Sequence, residues 1–395
     1  MRIPQPTVGR WSRPAVHSFA VARVVRGIEA LVAGEIRKSG LGVVRGVRRR
    51  EVWFEPAPGA DPLGLRMADD VLLAVAVVDG IGHDRSALRR LAGAARALDT
   101  SGFVRSASPA GPAPAADGLE VSASFVGRRN YTRFEVEDAV GTELARSLRL
   151  AYHSRRDGLR PPPGAMSWRV TIEDERAVIA LRAADRPLHR RPYKLASVRG
   201  TLHPPVAAAM AELARLDGAG TVLDPCCGAG TTLIEAHALT RSHAPDGLRL
   251  LGFDHDPAAL RAATANAALD ATAAAAEDVT ANVTANAAAA SPPGAARRSR
   301  FRWAVADAGR IPVPAGGVDR VLVNPPWGRQ VAPRGTLAGD GDLLWREVRR
   351  VLAADGLAVA LLHDEVPSGF AVEEAVRVSL SGRHPLIAVL RSRGR

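Results

Sequence analysis

The stretch Asp224-Pro225-Cys226-Cys227-Gly228-Ala229-Gly230 lies between a short apolar run, Thr221–Leu223, and a helical pattern that starts near Thr231. Strand, glycine turn and helix in that order bring close backbone approach and free N–H groups to one point, which suits a ligand carboxylate at a helix N-terminus. A glycine loop alone occurs in many nucleotide-binding folds, so its meaning depends on the strands that come after it in the chain. Strand-like runs alternate with helical ones at Arg249–Phe253, Phe301–Val305, Arg320–Val323 and Leu357–Leu362. This alternation predicts a doubly wound α/β sheet with ligands beyond the C-terminal ends of its strands. The closing runs Val372–Leu380 and Leu386–Leu390, separated by His384-Pro385, predict an antiparallel edge.

Each successive strand end carries a polar group suited to part of a nucleoside ligand. The second ends at Gly252-Phe253-Asp254-His255-Asp256, where Asp254 is expected to take ribose hydroxyls and Asp256 to cap the next helix. The third ends at Ala306-Asp307-Ala308, whose carboxylate can accept from an adenine amine. The fourth ends at Asn324-Pro325-Pro326-Trp327. An Asn side-chain carbonyl and a proline main-chain carbonyl offer two acceptors at one rim, and proline brings no N–H to occupy them. Two acceptors suit an NH2 group. An exocyclic amine shares its lone pair with its ring, so it attacks an electrophile only when both hydrogens are held and the nitrogen is turned. Trp327 adds a flat face for stacking, a contact worth about 1–3 kcal/mol per base. By itself the tetrad reads equally well as a Pro-Pro turn before a core Trp. Four strand ends in this order favour the ligand reading.

The chain has 395 residues and 47% hydrophobic content, enough for two or three ordinary domains. Neither a signal-peptide pattern in Met1–Ala20 nor an apolar run long enough to span a bilayer is present, so a soluble cytoplasmic protein is expected. The two cysteines, Cys226 and Cys227, are adjacent, which excludes a disulfide framework, and no Cys/His spacing predicts a metal site. Net charge is +12, and the whole excess sits in residues 1–200, while 201–395 is neutral. That asymmetry suits a module that grips a phosphate backbone joined to one that performs chemistry.

Before residue 196 the patterns are mixed. A β-like run from His17 to Val25 leads into a helix from Gly27 that closes near Gly40, and strands follow over Val43–Phe54. Helical stretches are expected around Pro62–Val78 and Ser86–Leu98, and residues 106–118 read as a Pro/Ala/Gly loop. Strand Glu120–Phe125, a helix from about Glu135 to Leu148, and strands Ser167–Glu173 and Ala177–Ala183 predict a small α+β unit. Leu188-His189-Arg190-Arg191-Pro192-Tyr193-Lys194, basic with an aromatic inside it, reads as a solvated linker or an RNA-contacting hinge, and its position favours the hinge. Residues 271–300, rich in Ala, Thr and Asn, read as an insertion, helical or irregular.

The four strand-end motifs together resemble the class I S-adenosylmethionine-dependent methyltransferases with the Rossmann-like fold, over about 197–395. The tetrad is the version seen in enzymes that methylate planar nitrogens. Gly27-Ile28-Glu29-Ala30-Leu31, the segment from Arg128 to Gly141, and Leu188–Lys194 are similar to the ferredoxin-like domain, THUMP domain and linker of THUMP-containing RNA methyltransferases, the tRNA guanine-N2 methyltransferases foremost. The resemblance implies an RNA-binding region at 14–195 and a methyltransferase domain at 196–395. It implies S-adenosyl-L-methionine held by Asp224, Cys226, Gly228, Gly230, Thr231, Asp254, His255, Asp307 and Ala308, with Asn324, Pro325, Pro326 and Trp327 at the reacting amine. For the RNA it implies Arg128, Arg129, Arg190, Arg191, Tyr193 and Lys194. The expected partner is tRNA, with no obligate protein partner. Ribosomal RNA guanine-N2 methylation, N6-adenine methylation and a non-catalytic RNA-binding role remain the alternatives, because the tetrad does not choose between guanine and adenine.

Overall fold

The computed structural model describes residues 19–98, 118–241, 248–284, 300–326, 331–363 and 365–393, with side chains of 271–284 excepted. The chain forms two compact units, one of Met1–Val24 and Glu29–Leu188, the other of Val25–Ile28 and His189–Arg395. Among the described residues, no helix is long and apolar enough to cross a membrane.

The first unit is built on one seven-stranded sheet. Its strands are β1 (Ala20–Arg23), β2 (Gly42–Arg48), β3 (Glu51–Pro56), β4 (Asp70–Asp79), β5 (Leu119–Phe125), β6 (Met166–Glu173) and β7 (Arg176–Arg182), in the order β2-β3-β1-β4-β7-β6-β5. All neighbours are antiparallel except β5 and β6. Helices α1 (Glu29–Lys38), α2 (Ser86–Arg96) and α3 (Arg133–Leu148) complete it. The period-2 pattern turns Val121, Trp168, Val170, Ile172 and Ile179 onto one face, where Leu91 of α2 and Val136, Val140 and Leu144 of α3 cover them. Thr132 and Glu135 start α3 with a reciprocal capping box, each satisfying the other's backbone N–H. One expectation fails here. The helix foreseen at Pro62–Val78 is a single 3-10 turn, Pro62–Gly64, followed by strand β4. Val71–Val78 is rich in β-branched residues and pairs on both sides, with β1 and β7, so an unbroken apolar run is a central strand.

The second unit carries the site. Its strands are β8 (Thr221–Asp224), β9 (Arg249–Asp254), β10 (Phe301–Val305), β11 (Val318–Val323), β12 (Leu352–Leu362), β13 (Phe370–Arg377) and β14 (Leu386–Ser392). Its helices are α4 (Pro204–Leu213), α5 (Thr231–Thr240), α6 (Pro257–Thr284) and α7 (Asp342–Val351). The sheet order is β10-β9-β8-β11-β12-β14-β13, parallel from β10 to β12 and antiparallel at the β14–β13 edge, as the sequence predicts. From β8 the chain winds outward to β9 and β10, then returns to place β11 on the other flank of β8. That reversal opens a crevice beyond the C-terminal ends of β8 and β11. Asp319, at the far end of β11, accepts from Gly220 N at 2.9 Å and Thr221 N at 2.8 Å and so splices β11 to β8, a structural task. The insertion begins as helix, since α6 runs to Thr284; residues 285–299 lie outside the described residues.

Candidate active site

A cavity of about 770 Å³ occupies the crevice, in the range of small-molecule sites. It gathers all four strand-end motifs. Asp224, Cys226, Gly228 and Thr231 line it from β8 and the start of α5, Asp254 and His255 from β9, Asp307 and Ala308 from β10, and Asn324, Pro325 and Pro326 from β11. Gly230 does not line it. Instead this residue takes φ +77° as the N-cap of α5, and a Cβ there would stand 2.9 Å from the Trp303 ring. Trp327 lies outside the described residues.

The donor side is held by carboxylates that bind backbone. Asp224, 1% exposed, accepts from Cys226 N at 3.0 Å and from the Thr232 hydroxyl, and burial pushes its pKa up to about 7. Asp254 accepts from Gly228 N and Asp256 N, both at 2.9 Å, so it shapes the glycine loop and caps its own turn while each oxygen keeps a second lone pair. Asp307 accepts from Gly309 N at 2.9 Å, Thr336 Oγ1 at 2.8 Å and Thr336 N at 2.7 Å. Partial burial works to raise its pKa, but the Thr336 and Gly309 hydrogen bonds outweigh it and hold the carboxyl below its ordinary value. One lone pair, on Oδ2, is left for an adenine amine. Burial, then the neighbouring Asp224 and Asp254, pushes both the Cys226 and Cys227 thiols well up, which fits packing residues and no thiolate chemistry.

One observation tests this pocket against the expected methyl donor. Thr231, the first residue of α5, is 3% exposed and its hydroxyl has no partner, although it lines the cavity at the helix N-terminus. A buried polar group without a partner costs about 1–3 kcal/mol, and a ligand carboxylate beside it would remove that cost. With the carboxylate-lined wall for a cation and Asp254 for ribose, the residues fit S-adenosyl-L-methionine.

The amine side draws on segments that carried no recognisable motif. Asn324 Nδ2 donates to Gly200 O at 3.3 Å, which orients the amide and sets Oδ1 as its acceptor. Gly200 belongs to a turn over Val198–Thr201, closed by Thr201 Oγ1 donating to Val198 O at 2.6 Å. Val331, Arg334, His363, Leu380, Ser381 and Arg383 also line the cavity. No periodicity marks these loops; the one cue is Pro204-Pro205, which must begin a helix and so forces a turn before it.

The basic hinge needs correction. Arg191 is 6% exposed and Tyr193 3%, and both are tied to the fully buried Glu235, Arg191 Nε at 2.9 Å and Tyr193 OH at 2.8 Å. They anchor their stretch to α5 and cannot reach a phosphate. Lys194 is half-buried, lines the cavity, donates to Leu202 O at 3.4 Å, and has its pKa lowered by burial. Arg190 is exposed. In the first unit Arg129 is likewise structural, donating to Ile81 O and Gly82 O at 3.1 Å and to Asp174 O at 2.5 Å, whereas Arg128 is exposed.

Comparison with known proteins places the chain among methyltransferases. A family model described as RMKL-like, methyltransferase domain, matches residues 191–378. Over 392 residues, 96% of this chain and 99% of the relative, the chain is 30% identical to the tRNA (guanine(6)-N2)-methyltransferase of Thermus thermophilus. The crystal structure of TrmN from Thermus thermophilus matches with a TM-score of 0.67 at 26% identity, covering 95% of this chain and 100% of that one. SMU.472, solved with SAH, matches with a TM-score of 0.62 at 16% identity over 96% of this chain and 99% of that one, a likeness of fold. The chain has the α/β fold of the class I methyltransferases and belongs to the RMKL-like methyltransferase family, whose members use S-adenosyl-L-methionine.

Proposed function

We propose that this chain methylates the N2 amine of a guanine in the acceptor stem of tRNA. The observation that carries the proposal is the meeting of Asn324 and Pro325 with the β8 glycine loop in one cavity, on adjacent strands. Asn324 Oδ1 and the Pro325 carbonyl hold the two amine hydrogens and turn the nitrogen toward the donor side. Bound there, S-adenosyl-L-methionine supplies a methyl group on a sulfonium, so that an N–C bond forms as an S–C bond breaks, leaving a thioether and one proton. Asp224, Cys226, Gly228, Thr231, Asp254, His255, Asp307 and Ala308 form the donor pocket. Trp327 stacks on the extracted base.

Guanine and tRNA are the reading that best fits the 30% identical relative and the basic charge of residues 1–200. Residues 14–195 are the RNA-gripping region, ferredoxin-like and THUMP in kind, and 196–395 the catalytic one; the enzyme works in the cytoplasm. Unmodified tRNA transcripts incubated with the full chain and S-adenosyl-L-methionine, then digested and examined by nucleoside mass spectrometry, should yield N2-methylguanosine that maps to the acceptor stem. N6-methyladenosine in its place would overturn the base assignment, and no methylated nucleoside would overturn the substrate class.

A further inference from the structure

Three arginines line the cavity with their charge uncompensated. Arg199, Arg334 and Arg383 are exposed, and among the described residues none makes a side-chain hydrogen bond or ion pair. Other arginines of this unit are paired: Arg215 meets Glu373 and Glu374, Arg346 meets Asp340, and Arg391 meets Glu373.

Their backbones, in contrast, are fixed. Arg199 sits inside the Val198–Thr201 turn, one residue before the Gly200 carbonyl that orients Asn324. Arg334 precedes Gly335 and Thr336, and Thr336 is pinned through N and Oγ1 to Asp307 at the end of β10. Arg383 closes the β13–β14 hairpin, with Leu380 N and Arg383 N each donating to the other's carbonyl at 2.9 Å. The two residues between them, Ser381 and Gly382, have φ of +48° and +78°, the two left-handed positions of a tight hairpin turn. Serine rarely adopts that backbone, and such strain persists where the surroundings over-determine it. Ser381 itself lines the cavity.

Fixed backbones with unpaired guanidinium heads are prepared for an anion brought from outside. Asp224, Asp254 and Asp307 line the same cavity, so it offers carboxylates to a cation and guanidinium forks to an anion. We propose that Arg199, Arg334 and Arg383 take the backbone phosphates on either side of the target nucleotide and thereby present its base to Asn324 and Pro325. They are positioning residues, and the proposal rests on RNA being the substrate.

The test is steady-state methylation of an unmodified tRNA transcript by the full chain and by the Arg199→Ala, Arg334→Ala, Arg383→Ala triple variant, from 50 to 200 mM salt. Donor affinity of both is measured by calorimetry. The triple variant is expected to raise KM for tRNA by about tenfold or more with kcat and donor affinity unchanged. Its plot of log kcat/KM against log salt should flatten by about 0.9 for each phosphate that is no longer neutralised. Lysine at the three positions should restore most of the salt slope, which a merely structural role would not do. Equal KM and equal salt slope in an active enzyme would overturn the arginine assignment and leave the methyltransferase reading intact. A wild-type chain that binds donor and methylates no RNA would overturn both.

Discussion

The two walls of the cavity are made by different means. On the donor side the hydrogen bonds that Asp254 and Asp307 accept come mainly from backbone N–H groups, so these acids fix the loops from which they come. The amine side has one oriented amide and one proline carbonyl, and three arginines with no side-chain partner among the described residues line the same cavity from turns in separate segments. A pocket for a small, constant ligand can be prebuilt from three consecutive strand ends. A surface for a large polyanion has to be assembled from wherever the chain passes the rim, and its charges must stay unsatisfied until the ligand arrives.

Substitutions on the two walls should therefore fail in different ways. The largest effect is expected from Asn324→Ala, which removes an acceptor needed only as the amine reacts: kcat should fall by about a hundred- to a thousandfold with donor affinity within a factor of two. Equal losses in rate and donor affinity, measured by single-turnover kinetics and calorimetry, would erase the distinction between the walls. Asp254→Ala should act in the opposite sense. It frees Gly228 N and Asp256 N, at about 1–3 kcal/mol for each group left unpaired, so donor affinity should drop by about ten- to a hundredfold while kcat at saturating donor changes little.

The smallest effect concerns pH. Burial pushes Asp224 up to about 7 from 3.8, so its proton is favoured in the folded chain. Its contribution to stability is full below about pH 4 and is lost as pH rises toward about 7. A cationic donor in the same cavity favours the carboxylate, so donor affinity should increase as pH climbs to about 7, by at most tenfold per unit, and level off above. Calorimetry at several pH values should show this trend, and Asp224→Asn should abolish it. A flat profile in the unmodified chain would mean that Asp224 does not change its protonation over this range.

The donor wall was legible in the sequence because each of its motifs is local: glycines, then an acid, at the end of a short apolar run, repeated at β8, β9 and β10. The amine wall was legible only at Asn324-Pro325-Pro326, since Arg199, Arg334 and Arg383 are brought there by turns that have no period. Charge misled where it was densest. Arg191 reads as the centre of a basic stretch, yet it is buried against Glu235, because a sequence reveals a charge without revealing its counter-charge 44 residues away. Val71–Val78 misled for a related reason: an unbroken apolar run fits a buried strand or a buried helix until its neighbours are known.

The hydrogen bond from Asn324 to Gly200 also decides what this chain refuses. With Nδ2 engaged by a main-chain carbonyl, the amide and Pro325 present oxygen to whatever enters. A keto oxygen or a bare ring nitrogen brought to that point would set lone pair against lone pair, and a site built for hydrogens rejects such groups far more strongly than a greasy pocket rejects a missing methylene. On the proposed function, selection among the edges of a nucleobase would be enforced by repulsion, through a side chain whose orientation is set by the backbone of another loop.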